Sequence, residues 1–346
     1  MKRLTSLALE FQYSADLKRA DLKILDQTLL PFEEKWLTVT NLGQMIEIIQ
    51  SLRVRGAPLI GVTASLMLAK LAIENNPLEV LQHAATTLYE SRPTAVNLMI
   101  CIDRMRSVLN SSFSIENIVN QAVQIFNEDV TLCDQIAEHG ASLIEDGDQI
   151  LTHCNTGGLA TACVGTALGI ISKAHGQGKK IHVYVDETRP LLQGGRLTTW
   201  ELQKLKIPFT LISDNMAAHL MSLKKITKAF VGSDRIAVNG DFANKIGTYS
   251  VAVNCHYHKI PFYVAAPYTT VDSECASGTE IPIEQRKPSE VLGVDGHFGS
   301  IRWALPETQV YNPSFDVTPA KLVTGWVLDR GVFNHQDVEA GIFKKK

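Results

Sequence analysis

The 346-residue chain is 45% hydrophobic and 20% charged, a globular composition with enough apolar residues for two domains or one large α/β unit. Its formal net charge of −3 supplies no basic field for nucleic acid or an anionic membrane. An anionic ligand would have to be held by a few placed cations.

Met1-Lys2-Arg3 begins like a signal peptide, but the apolar run Leu4–Leu9 is short, broken by Thr5 and Ser6, and closed by Glu10. No segment reaches the roughly 20 apolar residues of a membrane span. The six cysteines contain no C-x-x-C pair, so they read as reduced thiols of a cytoplasmic protein.

Residues 1 to 45 read as short strands and turns, with strands at 7–11, 22–25 and 36–39. Helical spacing follows at 42–52, 58–71, 78–89, 98–109 and 115–144. This half is a small β-unit joined to a helical bundle, with a domain boundary expected between residues 125 and 126. From Asp148 strand and helix alternate. Strands are expected at 149–153, 181–185, 209–212, 229–231 and 262–265. The intervening helices are expected at 159–173, 197–205, 216–223 and 244–256. That alternation predicts an α/β, Rossmann-like domain over 126–346 with a parallel sheet covered on both faces. Near the end, 311–315 reads as extended, and Thr318-Pro319 as the start of a last helix ending near 322–327.

Ligands of open parallel sheets bind outside the carboxyl ends of the strands. The residues found there are Cys154-Asn155-Thr156-Gly157-Gly158, Asp186-Glu187-Thr188-Arg189, Gln193-Gly194-Gly195-Arg196, Asp214 and Gly232-Ser233-Asp234-Arg235. A thiol at Cys154, ahead of two glycines and an expected helix start, is placed for thiolate chemistry. Asp234 lies between Val231 and Ile236, where burial would hold a proton on it for acid catalysis. The plain alternatives are a buried apolar cysteine and an aspartate in a turn or paired with Arg235. Arg55-Gly56-Ala57-Pro58 places an arginine at a helix N-terminus, which is an anion site. Arg92-Pro93-Thr94 and Asn244-Lys245 offer further cations at expected helix starts.

The glycine pairs complete neither G-x-G-x-x-G nor a P-loop, and no G-x-S-x-G is present. The ten histidines form no H-E-x-x-H, so no metal or other cofactor is expected.

Taken together, Arg55-Gly56-Ala57-Pro58, Ser91 to Leu98, His153 to Gly157, Glu187 to Gly194, Val231 to Ile236 and Gly240 to Tyr249 resemble the S-methyl-5-thioribose-1-phosphate isomerases of methionine salvage. The resemblance runs from about Ile24 to Val332. It implies catalytic roles for Cys154 and Asp234 and substrate contacts at Arg55, Gly56, Ala57, Arg92, Gln193, Asn244 and Lys245. It also implies a homodimer whose ligand is a small sugar phosphate. Ser233 and Gly195 stand where alanine is common, and neither change removes a functional group. Related readings are an isomerase of ribose 1,5-bisphosphate or 5-deoxyribose 1-phosphate. The regulatory subunits of the exchange factor for eukaryotic initiation factor 2 share the architecture without the chemistry.

Overall fold

The computed structural model describes residues 1–92, 96–296 and 299–344. It divides into two units, Met1–Thr131 with Gly158–Val164, and Leu132–Gly157 with Gly165–Lys346.

The first unit begins with an antiparallel sheet of β1 (Lys2–Thr5), β2 (Leu9–Tyr13), β3 (Ala20–Leu25) and β4 (Trp36–Thr38), paired in that order. In β2 the side chains of Leu9, Phe11 and Tyr13 are buried and those between them are not, the period-two alternation of a sheet with one covered face. Strand β1 carries no such alternation, because none of its residues is buried, and it was not among the expected strands.

Helices α1 (Leu42–Gln50), α2 (Ala57–Ile73), α3 (Leu78–Glu90), α4 (Val96–Ser111) and α5 (Ile115–Ala141) follow. Asn41 caps α1 by accepting the Gln44 N–H at 2.9 Å. Helix α2 is buried on every side from Leu59 to Ile73, packed among α4, α3, α1 and β3, as expected for a helix that is apolar all round. Its one buried charge, Lys70, is paired with Glu74. The boundary expected between residues 125 and 126 and the division in the structure both fall within α5. Residues 158–164 return to the first unit. There Leu159 O accepts from Gln27 Nε2 at 2.8 Å, Ala160 O from Leu59 N at 3.2 Å, and Asp129 from Ala162 N at 2.6 Å.

The second unit is built on β5 (Gln149–Thr152), α6 (Ala167–Gly176), β6 (His182–Asp186), α7 (Thr199–Lys204), β7 (Phe209–Ile212), α8 (Ala217–Ser222) and β8 (Lys228–Val231). Strands β9 (Arg235–Ala237) and β10 (Phe242–Lys245) come next, then α9 (Thr248–His258), β11 (Phe262–Ala265) and β12 (Val271–Asp272). The chain continues through α10 (Ser289–Leu292), β13 (Gly293–Gly296), β14 (Gly299–Arg302) and β15 (Phe315–Thr318), and ends with β16 (Gly325–Leu328), β17 (Gly331–Phe333) and α11 (His335–Glu339).

The main sheet has the order β17-β16-β11-β8-β5-β6-β7 and is parallel except for the β16–β17 edge pair. One face is covered by α5, α6 and α7 through Ile136, Ile170 and Leu202. The other is covered by α8 and α9 through Met221, Val251 and Cys255. From β5 the chain proceeds through β6 to β7 on one side, and β8 restarts on the other side of β5. The order therefore reverses between β5 and β8, the place where open α/β sheets leave a ligand crevice.

Three expected helices differ. Only Ala167–Gly176 of the 159–173 helix region is helical; the residues just before it are turns, those of 158–164 held by the first unit's hydrogen bonds. Asn244 and Lys245 lie on β10, not at a helix start. That strand is bonded on its two edges by β9 and β15, the latter some seventy residues away in the chain, and α9 starts only after Gly247. The last expected helix is a 3-10 turn at Ala320–Leu322 followed by β16, whose four residues are all buried. A short, fully buried apolar run has no periodicity to separate strand from helix. Among the described residues no helix is long and apolar enough to cross a membrane.

Candidate active site

Cys154 follows β5 and Asp234 follows β8, so these two residues extend from neighbouring parallel strands at the reversal of strand order. Their loops touch. A Cβ on Gly232 would stand 2.6 Å from Cγ2 of Thr156, a close approach that only glycine permits.

Cys154 is 5% exposed and has φ +66°, a left-handed conformation that costs a non-glycine residue about 1–2 kcal/mol. Its peptide groups are held on both sides. The Cys154 N–H donates to Thr188 Oγ1 at 2.8 Å, and Thr198 Oγ1 donates to Cys154 O at 2.7 Å. Thr188 is itself left-handed at φ +64°, and the Asp214 carboxylate accepts its N–H and that of Arg189 at 2.7 Å each. Asn155 turns inward to Glu201 Oε1 at 2.7 Å.

The residue before Cys154 carries the strongest electrostatic feature. His153 and Asp186 are 1% and 0% exposed, with Nδ1 2.9 Å from Asp186 Oδ2 and Nε2 2.8 Å from Ile246 O. A carbonyl only accepts, so Nε2 carries a proton. Burial opposes a charged ring, but the Asp186 carboxylate outweighs it and raises the His153 pKa. Burial likewise pushes Asp186 up to about 6, against the pull of His153. Ring and carboxyl thus form a coupled buried pair joined by the Nδ1–Oδ2 hydrogen bond. Asp186 Oδ1 is buried without a hydrogen-bond partner, as is Gln193 Oε1 in the loop after β6.

His153, Asp186 and Asp214 bring ligand-type atoms within 4.8 Å of one another. Each already has partners: the ring bonds Asp186 and the Ile246 carbonyl, and Asp214 accepts two N–H groups. A cation there would have to displace them.

Lys245 is half-buried, with Nζ 2.9 Å from Ser314 O and 4.7 Å from the centre of the Phe315 ring. Asn244 is buried and donates to Thr248 Oγ1 at 3.0 Å. Between β10 and α9, Gly247 has φ +104°, and a Cβ there would stand 2.7 Å from His153 Cε1. Asp316, from β15, accepts the N–H groups of Gly247 and Tyr249 at 2.7 and 3.1 Å, and burial raises its pKa.

Asp234 corrects one expectation. Its side chain is exposed, so the burial invoked to keep it protonated is absent. Arg235 bonds Asp272 at 3.1 Å. Cys154 likewise has no helix start directly after it, since α6 begins thirteen residues on, at Ala167. Of the other free thiols, burial raises the pKa of Cys101 to about 12 and raises those of Cys255 and Cys275, which disfavours their thiolates.

In the first unit, Arg55 is half-buried, Gly56 has φ +88°, and Ala57 opens α2 with Pro58 in its first turn. Arg92 is half-buried just after α3; Pro93 and Thr94 lie outside the described residues. Sequence reasoning did not single out His153, Asp186, Thr188, Thr198, Asp214 or Asp316. Asp186, Thr188 and Asp214 were visible as polar residues at strand ends, whereas Thr198 and Asp316 carry no local signal.

These features define an α/β protein with a polar site at the carboxyl edge of a parallel sheet, centred on a buried cysteine. Residues 53–335 match the model of the initiation factor 2 subunit family. A methylthioribose-1-phosphate isomerase of Yersinia pseudotuberculosis serotype IB is 54% identical over 344 residues, 99% of each chain. One from Klebsiella pneumoniae (strain 342) is 57% identical over 320 residues, 92% of this chain and 94% of the relative. The crystal structure of 5-methylthioribose 1-phosphate isomerase from Pyrococcus horikoshii OT3 superposes with TM-score 0.87 and 37% identity, covering 98% of this chain and 97% of that one. That of translation initiation factor eIF-2B, subunit delta, from A. fulgidus gives 0.83 and 37%, with coverage of 96% and 97%. The chain belongs to the initiation factor 2 subunit family and, within it, to the methylthioribose-1-phosphate isomerases.

Proposed function

We propose that this chain converts S-methyl-5-thio-α-D-ribose 1-phosphate into S-methyl-5-thio-D-ribulose 1-phosphate, a step of methionine salvage. The observation that carries the reading is the placement of Cys154 and Asp234 on neighbouring strand ends at the switch in strand order, in a chain 54–57% identical to named isomerases. In chain order the sheet runs 3-2-1-4-5-6 with one added antiparallel edge strand, which supports a Rossmann-like second unit.

A sugar phosphorylated on its anomeric oxygen has no free aldehyde, so its ring must open before isomerisation. Asp234 is the proposed acid, a role carried by the family resemblance and not by burial: protonated beneath bound substrate, it gives its proton to the ring oxygen as the bond between that oxygen and C1 breaks. Cys154, as thiolate, then takes the C2 proton, and the same proton or one from solvent is returned to C1 while the C2 hydroxyl gives its proton back to the Asp234 carboxylate and becomes the carbonyl. Nothing is gained or lost overall. Arg55, Arg92 and Lys245 are the proposed phosphate cations, with Gly56, Ala57, Gln193 and Asn244 as the other substrate contacts. The family resemblance supports these assignments. It also supports a cytoplasmic homodimer, which sedimentation of the purified protein checks.

Turnover of S-methyl-5-thioribose 1-phosphate beside ribose 1,5-bisphosphate tests the substrate. The methylthio sugar should be the better substrate by kcat/KM; preference for the bisphosphate would replace this reading, and turnover of neither would favour a role like that of the A. fulgidus relative, named a translation initiation factor subunit. Substrate deuterated at C2 tests the base. Exchange with solvent supports proton abstraction at C2, whereas complete transfer of deuterium to C1 together with an undiminished kcat in Cys154→Ser would replace abstraction by Cys154 with direct hydride migration.

A further inference from the structure

Cys154 occupies a backbone conformation that L-residues avoid, at a place buried from solvent, and its two peptide groups are held by hydroxyls and not by the sheet. Thr188 and Thr198 are 0% and 1% exposed. Each hydroxyl both donates and accepts a hydrogen bond, at least one of them with Cys154. Thr188 Oγ1 accepts the Cys154 N–H at 2.8 Å and donates to Asp186 O at 3.1 Å. Thr198 Oγ1 donates to Cys154 O at 2.7 Å and accepts from Asn155 Nδ2 at 3.3 Å.

The two threonines come from different places, one in the turn after β6 and the other in the π-helical turn Gly194–Thr198. Each is fixed in its own right. Asp214 holds the Thr188 backbone, and the π-helical turn holds that of Thr198. A left-handed residue clamped at both its N–H and its C=O has no freedom to rotate its Cα–Cβ bond direction.

We infer that Thr188 and Thr198 are positioning residues for Cys154: their hydroxyls hold it in the left-handed turn and so set the direction in which its thiol meets the substrate. The inference rests on the reading of Cys154 as the reacting thiol. A valine at either position has nearly the threonine shape but neither donates nor accepts, so it releases one side of the turn. Misplacement of a reacting group on the ångström scale costs up to about 100-fold in rate.

The test is steady-state kinetics of Thr188→Val, Thr198→Val, Thr188→Ser, Thr198→Ser and Cys154→Ser on S-methyl-5-thioribose 1-phosphate, with thermal melts of each. Each valine variant should lose about 10- to 100-fold in kcat with KM within about twofold, and each serine variant should recover most of the loss. Alkylation of Cys154 by iodoacetamide should change rate in the valine variants and return to the wild-type rate in the serine ones. If a valine variant does not fold, the alanine variant at that position takes its place under the same criteria. Wild-type kcat in the valine variants beside an inactive Cys154→Ser overturns the inference and leaves the reading of Cys154 standing. So does a loss that serine does not rescue, or one in which KM rises in step. A fully active Cys154→Ser overturns that reading itself.

Discussion

Replacing Gly247 by alanine should destabilise the second unit more than any surface change of the same size. At φ +104° the residue lies well outside the left-handed basin near +57°, and a side chain there costs about 1–3 kcal/mol. The added Cβ would also stand 2.7 Å from Cε1 and 2.9 Å from Nε2 of His153. That ring cannot yield freely, because Nδ1 is bonded to Asp186 at 2.9 Å and Nε2 to Ile246 O at 2.8 Å. Moving it forfeits one buried, charge-assisted hydrogen bond, about 1.5–3 kcal/mol. The sum is roughly 2.5–6 kcal/mol. Urea unfolding followed by tryptophan fluorescence measures it, with Gly176→Ala as the control: no atom lies within 4 Å of a Cβ at that position, and the change should be neutral or stabilising by up to about 1 kcal/mol. A loss below about 1 kcal/mol for Gly247→Ala would show that the ring is not held as described.

Cys154→Ser should keep binding, measured by calorimetry, and lose kcat by orders of magnitude, since a hydroxyl is far less acidic than a thiol. Arg55→Ala and Lys245→Ala should weaken binding of the phosphorylated sugar far more than of its unphosphorylated analogue; equal losses would make these residues scaffold. Asp129 is buried with one N–H donor, from Ala162, and burial pushes its pKa up to about 6 from 3.8. A raised carboxyl means that the folded state holds the proton more tightly, so this stability is complete below about pH 4 and is lost as pH rises through 6. Asp129→Asn should therefore gain on the wild type, by on the order of 3 kcal/mol at most, between pH 4.5 and 7.5 in urea titrations. A difference that does not change with pH would contradict this.

Elements made by local patterning were legible. Phe209–Ile212 and Phe262–Ala265 are strands with the expected ends, and helices α1 to α5 lie where apolar spacing put them. Elements made by distant pairing were not. Strand β10 exists because β9 and β15 flank it, and its sequence, Phe-Ala-Asn-Lys, runs as readily into the helix that follows. The positions of Cys154 and Asp234 at strand ends were legible for the same reason as the strands. Their surroundings were hidden, because the groups around Cys154 come from 34 and 44 residues away and the partner of His153 from 33. The exposure of Asp234 was also out of reach, since apolar neighbours in sequence say little about a side chain in a turn between two sheets.

In the proposed mechanism acid chemistry falls to Asp234 and base chemistry to Cys154, and the exposed aspartate is the member most easily mistaken for a surface residue. Asp234→Asn keeps size and hydrogen bonding but cannot transfer a proton. Its kcat on S-methyl-5-thioribose 1-phosphate, with binding measured separately, is the most direct test. Binding should stay close to that of the wild type and kcat should fall by orders of magnitude; a near-normal kcat would refute the acid role and remove one of the two groups on which the mechanism stands.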